Sequence, residues 1–488
     1  MKKIVVFLAL FLPAAAFFIS CNKDSPQSTV NTPLNRPPVA DAGDKTITSF
    51  TNTVKLSGTA SNDPDNNITG YQWSKVSGPS SCTITDPNAK ETQVIHLTEG
   101  IYQFELKVTD AGGLFDKDTV SVSVTISAAT ADCKGNIRPQ VNAQLIPVSS
   151  LSITREKVSV ATAGNKIVFA GGYSGSNTSG WHFYSRVDIL DIVTNTWTTA
   201  ELSQARWGMA TAVLGNKIFF AGGVAGVGQY TTRVDIYDVA TNTWSKSELS
   251  LARVEMAAAA AGNKVVFAGG ASGNGFTYTN RVDIYDASAG TWSMASLTDQ
   301  AVGTAATVIG TKIYFAGNAS DWWAWDFGTI TPTISIYDAS DNTWSTSQLS
   351  MSRGYLAGIA VGSKNFWAGG LYKQPQDPFT NQVEIRDMIT GASTFECLSQ
   401  PNAFFSAVLK NNQIVFFTSD VDVPVYWTSN PPVMNRFDIY NIKDNAWSIG
   451  ILPVNIRSSS IISADNTIYV AGGYVNGVLS NKVWKLEF

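Results

Sequence analysis

The chain has 488 residues, enough for roughly three average domains, and its 38 acidic and 34 basic residues give a net charge of −4. No basic block interrupts it, which argues against a nucleic-acid partner. Charged residues make up only 15% while aromatics reach 11% and glycines number 39, a bias toward β-rich, turn-rich architecture. Its two histidines, His96 and His182, exclude a multi-histidine metal site, and neither a cofactor nor a metal is expected.

Lys2 and Lys3 precede an apolar run from Ile4 to Ile19, the pattern of a secretory signal and short for a bilayer span. Phe18-Ile19-Ser20-Cys21 resembles a bacterial lipobox, with Phe18 in place of the usual leucine. The resemblance implies removal of residues 1–20, lipid on Cys21 and a membrane partner through that lipid. Asn22 rather than Asp after Cys21 implies an outer-membrane lipoprotein, and Lys23-Asp24 resembles part of a surface-export signal. Residues 21–36 are rich in Ser, Thr, Asn and Pro, too poor in large apolar groups to fold, and read as a tether.

Residues 37–127 carry short alternating strands: Thr53–Ser57, Tyr71–Ser74, Tyr102–Val108 and Thr119–Val124. Turn clusters at Asp63-Pro64-Asp65 and Ala111-Gly112-Gly113 separate them. This is the pattern of an immunoglobulin-like β-sandwich. Val39-Ala40-Asp41-Ala42-Gly43, Tyr71-Gln72-Trp73 and Val108-Thr109-Asp110 resemble the polycystic-kidney-disease (PKD) domain, a family of spacers and adhesive modules. Asp41, Asp63, Asp65 and Asp110 have oxygen ligands for Ca²⁺, but Asp in turns ordinarily caps backbone, and that reading is preferred. Cys82 and Cys133 are disulfide candidates in an oxidising compartment, whereas Cys397 reads as a buried thiol. Residues 128–140 read as a linker.

From residue 141 the chain repeats. Gly-Gly pairs begin at 171, 222, 269, 369 and 472, with degenerate counterparts at Gly317-Asn318 and Phe417-Thr418. In the same register run Trp197, Trp244, Trp292, Trp344, Phe395 and Trp447, at the spacing of a propeller blade. The glycine doublet, the Tyr-Asp pair and the spaced Trp are together similar to Kelch repeats, so 141–488 is expected to form a seven-bladed Kelch β-propeller. The last unit stops after its third strand, and residues 141–151 are expected to supply the fourth, with Ile146 at the place of Trp197. The fold class is therefore all-β, a sandwich followed by a propeller.

In an up-and-down meander, the loop after the second strand and the entry to the first share one rim. That rim is expected to carry an arginine ladder, Arg155, Arg206, Arg253, Arg353 and Arg457, together with loop aromatics. Candidate ligand-binding residues are Trp181, Tyr184, Arg206, Trp207, Arg253, Trp322, Trp323, Trp325, Arg353, Tyr426 and Trp427. Aromatic faces beside carboxylates suit sugar rings and also protein hot spots. The expected role is non-catalytic binding of glycan or protein at this face. Copper galactose oxidases share Kelch blades but need a propeller histidine pair, and only His182 lies in this propeller. Kelch sialic-acid mutarotases use arginine and carboxylate, for which Arg253 with Glu255 or Arg155 with Glu156 would serve. A third reading is a scaffold subunit of an outer-membrane complex.

Overall fold

The computed structural model describes residues 34–488 except 50–52, 81, 125–132, 136, 177–179, 274–276, 320–329, 373–378, 404–405 and 418–434. Cys21 and the signal region, Trp322, Trp323, Trp325, Tyr426 and Trp427 lie outside the described residues. Within them, every regular element is a strand.

The N-terminal strands form two facing sheets. One orders Thr46–Ser49, Phe115–Val124, Gly100–Asp110 and Ile68–Ser77, and the other Val54–Ser57, Glu91–Ile95 and Thr83–Ile84. Alternation places Tyr102, Phe104, Leu106 and Val108 inward, where they meet Leu56, Trp73, Val94 and Val122. The turn aspartates work locally: Asp41 accepts from Gly43 N, Asp63 from Asp65 N, and Asp110 from Leu114 N and the Asn35 amide. Asp65 pairs with Arg36. Among the described residues no group of three or more His, Cys, Asp or Glu could hold a metal ion.

The C-terminal region holds seven sheets built on one four-stranded meander. In the second blade Ala210–Leu214, Lys217–Ala221, Arg233–Asp238 and Thr243–Glu248 pair antiparallel in chain order. The innermost strands, Ser159–Ala163, Ala210–Leu214, Ala257–Ala261, Ala305–Ile309, Ala357–Val361, Ser406–Lys410 and Ser460–Ala464, each touch the next, and the last touches the first. Small side chains let seven strands crowd around one axis. Second strands such as Lys217-Ile218-Phe219-Phe220-Ala221 are almost entirely buried between blades.

Closure uses the N-terminal strand Gln144–Ser150, which pairs antiparallel with Lys482–Glu487 as the outermost strand of the seventh blade. Residue counting puts Ile146 at the Trp197 position, but a bulge between Val483 and Trp484 shifts the register, so Leu145 faces Leu486 as Trp197 faces Leu190. Just before it, Gln140–Asn142 adds a parallel fifth strand to the sixth blade.

The segment expected to be a linker is fastened to the propeller. Cys133 is disulfide-bonded to Cys397, with Cα atoms 6.1 Å apart, and Cys82 is a free thiol. Of the candidates Cys82 and Cys133 only Cys133 is bridged, and its partner is Cys397, which corrects the reading of Cys397 as a buried thiol: Cys133 sits against the outermost strand of blade five, and Lys134 bridges Glu396 beside it.

The tryptophan ladder is framework. Trp244 stacks on Tyr237 at 4.7 Å, and Trp292, Trp344 and Trp447 meet Tyr285, Tyr337 and Tyr440 in tilted contacts at 5.2, 5.0 and 4.9 Å. Phe395 does not belong to this series. Register places Ser393 opposite Arg386 there, and Phe395 is 44% exposed. Blade five replaces the aromatic stack with a polar network, Arg386 bonding Ser393, Ser347 and Glu384.

Candidate functional site

Each glycine doublet exists because two blades meet on it. Gly222 has φ +65, and a Cβ there would lie 2.4 Å from the Arg253 carbonyl of the next blade; Gly223, φ +104, would meet the Trp207 carbonyl of its own blade at 2.5 Å. Only glycine fits such an approach. Gly223 N then donates to Arg253 O, and Gly172 N to Arg206 O.

The arginines expected on the rim are buried beneath it. Arg155, Arg206, Arg253 and Arg353 are all 0% exposed. They pair with Asp188 (2.7 Å), Asp235 (2.8 Å), Asp283 and Glu384 (3.8 Å) on the third strand of the same blade. The acid also caps the chain arriving from the preceding blade, accepting from Ser152 N, Ser203 N, Ser250 N and Ser350 N. Burial pulls Arg253 and Arg353 down to about 10, so both remain cations at neutral pH. They are inter-blade staples that a ligand cannot touch, which removes Arg206, Arg253 and Arg353 from the candidate ligand residues. The same burial takes the guanidinium away from the mutarotase-like pairs Arg253 with Glu255 and Arg155 with Glu156.

Arg457 also leaves the ladder. Its backbone pairs with Tyr474, as Glu156 pairs with Tyr173, so the equivalent of Arg155 in the seventh blade is Ile456.

What faces the rim instead is a ring of short hairpins after the glycine doublets. They include Tyr173–Ser176 with Gly180–Phe183, Val224–Gly226 with Gln229–Tyr230, and Ala271–Ser272 with Thr277–Tyr278. Each opens by pairing with the entry segment of its own blade: Glu156 with Tyr173, Trp207 with Val224, Val254 with Ala271. An apolar cluster of Val224, Val254, Tyr278, Val302, Tyr355 and Phe379 ties the hairpins together, so Tyr278 and Phe379 are packing residues.

Two of the expected aromatics share a ridge over blades one and two. Trp181 is 41% exposed and meets the buried ring of Tyr173 edge-on at 5.1 Å, and Tyr173 meets half-buried Trp207 at 5.1 Å. Tyr184 lies beside it, its hydroxyl 2.8 Å from Ser174 Oγ and its ring 4.6 Å from His182.

Nearer the axis, the residue two positions after each ladder position turns into the left-handed region. Lys157 (φ 51), Gly208 (φ 68), Glu255 (φ 55), Gly303 (φ 61) and Tyr355 (φ 54) occupy it in blades one to five. A non-glycine residue held there carries strain that the surrounding packing must sustain. The Tyr355 ring lies across Gly303, where a Cβ would be 2.2 Å from it, and its hydroxyl comes 3.4 Å from Glu255 Oε2, two blades away. Desolvation raises the Glu255 pKa, while Lys157 and Tyr355 oppose the rise. Glu255 nonetheless retains a solvent-exposed side chain. Desolvation and the Glu255 charge raise the Tyr230 pKa. On the seventh-blade side, Tyr474 donates to buried Glu156 at 3.1 Å and Arg457 stacks over Tyr474 at 4.6 Å.

Sequence reasoning found Trp181, Tyr184 and Trp207 but passed over Lys157, Tyr173 and Tyr355. The available signal was positional: in blades one to five the second residue after the ladder position is glycine or a large polar residue.

The comparisons agree with this architecture. Residues 42–124 match a family of PKD domains of the KIAA0319-like type, and residues 157–370 match the "KLHDC2/KLHL20/DRC7 Kelch-repeats domain". A PKD-like domain precedes a Kelch domain. Similar proteins include human low-density lipoprotein receptor-related protein 11, 36% identical over 99 residues, which are 20% of this chain and 20% of that protein. Human dyslexia-associated protein KIAA0319 is 38% identical over 91 residues, 18% of this chain and 8% of its own length. Mouse dyslexia-associated protein KIAA0319-like protein is 37% identical over 106 residues, 20% and 10% respectively. The chain thus spans a fifth or less of the length of these relatives. Kelch domains generally mediate protein interaction, and a PKD module joined to Kelch repeats is the organisation of a binding protein.

Proposed function

We propose that this chain is a non-catalytic cell-envelope lipoprotein, held by lipid on Cys21, that presents the hairpin face of its Kelch propeller on the PKD-like domain to bind carbohydrate. The observation that carries the reading is the ridge Trp181–Tyr173–Trp207, in which an exposed indole is braced on a buried phenol with the Ser174 and Tyr184 hydroxyls beside it. Aromatic planes stack on the C–H faces of sugars while carboxylate and hydroxyl groups bond their hydroxyls. Among the described residues the ladder tryptophans Trp244, Trp292, Trp344 and Trp447 serve blade packing, whereas Trp181 stands exposed on the hairpin face.

The test is an oligosaccharide array probed with the full-length chain in detergent, wild type beside Trp181→Ala. Binding by the wild type that the folded variant loses supports the reading. Capture of no glycan by either protein would refute it and favour a protein partner at the same face. The anchoring proposal is tested by labelling cells with a radioactive fatty acid: label should enter the wild type and be absent from Cys21→Ser. Protease treatment of intact cells that leaves the protein whole would count against surface display.

A further inference from the structure

We propose that the Cys133–Cys397 disulfide is a thiol-responsive latch. A small thiol reductant opens it by attack at Cys133, becomes attached there as a mixed disulfide, and frees the segment ahead of Arg138 from blade five.

The two sulfurs differ in access. Cys133 lies in an exposed turn, whereas Cys397 closes the outermost strand Ser393–Cys397 and is 1% exposed. An incoming thiolate therefore reaches Cys133 Sγ, and the S–S bond breaks with its electron pair on Cys397 Sγ. That leaving sulfur is prepared for the charge. The Cys133 N–H donates to it at 3.1 Å, and the Arg138 guanidinium donates to the carbonyl oxygen of the same residue. A hydrogen bond and a nearby cation both favour thiolate over thiol, and a more stable thiolate leaves faster. A second thiolate then attacks the reductant's own sulfur in the mixed disulfide and releases Cys133. The electron pair that reduces the bridge comes from the reductant, which ends as its disulfide, and both cysteine thiolates take their protons from water.

What the latch holds follows from the order of the fastenings. From Cys133 to Ser150 the chain passes blade five, then six, then seven. Cys133 is bonded to Cys397, Arg138 pairs with Asp438, Gln140–Asn142 runs along Ile449–Ile451, and Gln144–Ser150 runs along Lys482–Glu487. Opening the disulfide leaves Lys134 with Glu396 on blade five, a solvent-exposed ion pair that adds little. Arg138 stays buried and paired, so release stops there. The freed stretch from residue 133 to 137 spans about 17 Å when extended. It lies between the PKD-like sheet, whose last strand ends at Val124, and the propeller, so the latch governs how closely the two domains are coupled.

The experiment uses the folded full-length chain in detergent, in a Cys82→Ser background that removes the free thiol. Reduced glutathione is added without denaturant, the reaction is quenched in acid, and tandem mass spectrometry locates the mixed disulfide. The expected result is glutathione on Cys133 in about tenfold or greater excess over Cys397. In a second arm the protein is reduced with dithiothreitol, alkylated, and compared with the oxidised form by hydrogen exchange. Exchange should rise in peptides covering residues 133–138 and stay unchanged in the inner strands of blades one to three. Glutathione mainly on Cys397, or a disulfide that dithiothreitol opens only in urea, would overturn attack at Cys133. Unchanged exchange across 133–138 after complete reduction would overturn the latch.

Discussion

Asp438 in the sixth blade is the acid of an inter-blade staple whose ladder position carries no arginine. The ladder position there is Asn402, and the cation comes from Arg138, outside the repeats: its Nη1 lies 2.7 Å from Asp438 Oδ1, and both residues are almost fully buried. Replacing Arg138 by Met keeps most of the stem that packs under Trp447, 4.5 Å from the guanidinium, and removes the charge. Breaking a buried pair from one side costs about 3–5 kcal/mol. Asp438 would keep its bonds from Ser399 N and Oγ and the influence of Arg436, so the lower end, about 3 kcal/mol, is expected. At about 2 °C per kcal/mol for a large domain, melting should fall by about 6 °C. Burial already raises the Asp438 pKa. A carboxylate with a raised folded pKa destabilises above its unfolded value and less as it protonates, so the deficit should be largest at neutral pH and shrink in acid. Adding Asn402→Arg should recover much of the loss by restoring the cation at the ladder position. Differential scanning fluorimetry reads all of this. A melting temperature within about 1 °C of wild type for Arg138→Met, with no effect of Asn402→Arg, would refute the surrogate-staple argument.

Further outcomes follow from the same geometry. Cys133→Ser opens a disulfide spanning 264 residues of sequence and should cost about 2–4 kcal/mol, as should reductant on the wild type; alkylation of Cys397 in unreduced protein would contradict the pairing. Deleting residues 141–151 strips the outermost strand from Lys482–Glu487 and leaves a bare edge, so melting should drop sharply and aggregation rise; an unchanged transition by light scattering and fluorimetry would refute that closure. Asp338 is held down to about 2, foremost by hydrogen bonds from Ser340, and Asp191, Asp286 and Asp387 are also lowered in their turns. A depressed carboxylate stabilises above its unfolded pKa, so the urea midpoint should decline as pH falls from about 4 to 2; a flat midpoint across that window would count against it.

The periodic features were legible because they are geometric necessities repeated in every blade. A doublet of glycines at left-handed φ under the next blade's carbonyl admits no other residue, and the Trp–Tyr stack needs its two rings at a fixed register, so both patterns survive in plain sequence. The arginine ladder was equally visible, but its direction was not. An arginine before a strand can point to solvent or under the rim, and only the acid on the third strand decides, through a contact about 30 residues away. The disulfide was misjudged for the same reason: Cys133 and Cys397 are 264 residues apart and meet only once the ring is closed. The axial residues were least legible: Glu255 and Tyr355 are 100 residues apart in sequence and meet only around an axis that no local pattern describes.

The blades lacking an arginine show what the staple is for. In the fourth, Ala301 replaces the arginine and Ser335 the acid, and Asn318, in the second place of the glycine doublet, donates to Thr333 O as Arg353 donates to Gln382 O in the fifth. In the seventh, Ile456 and Trp484 replace both charges, and Ser459 Oγ donates to Gly472 O. Cation and anion disappear together, as expected where a single buried charge costs far more than none. The sixth blade is the exception: it kept the acid and lost the arginine. That difference fixes residues 133–142 as part of the propeller, because without Arg138 the blade would hold a buried carboxylate short of its cation. The PKD-like domain is therefore joined to a segment that the disulfide, the Arg138–Asp438 pair and the parallel strand Gln140–Asn142 all fasten to the propeller. Attachment to the propeller accordingly includes Cys133, upstream of residue 141, where the repeat pattern alone places its start.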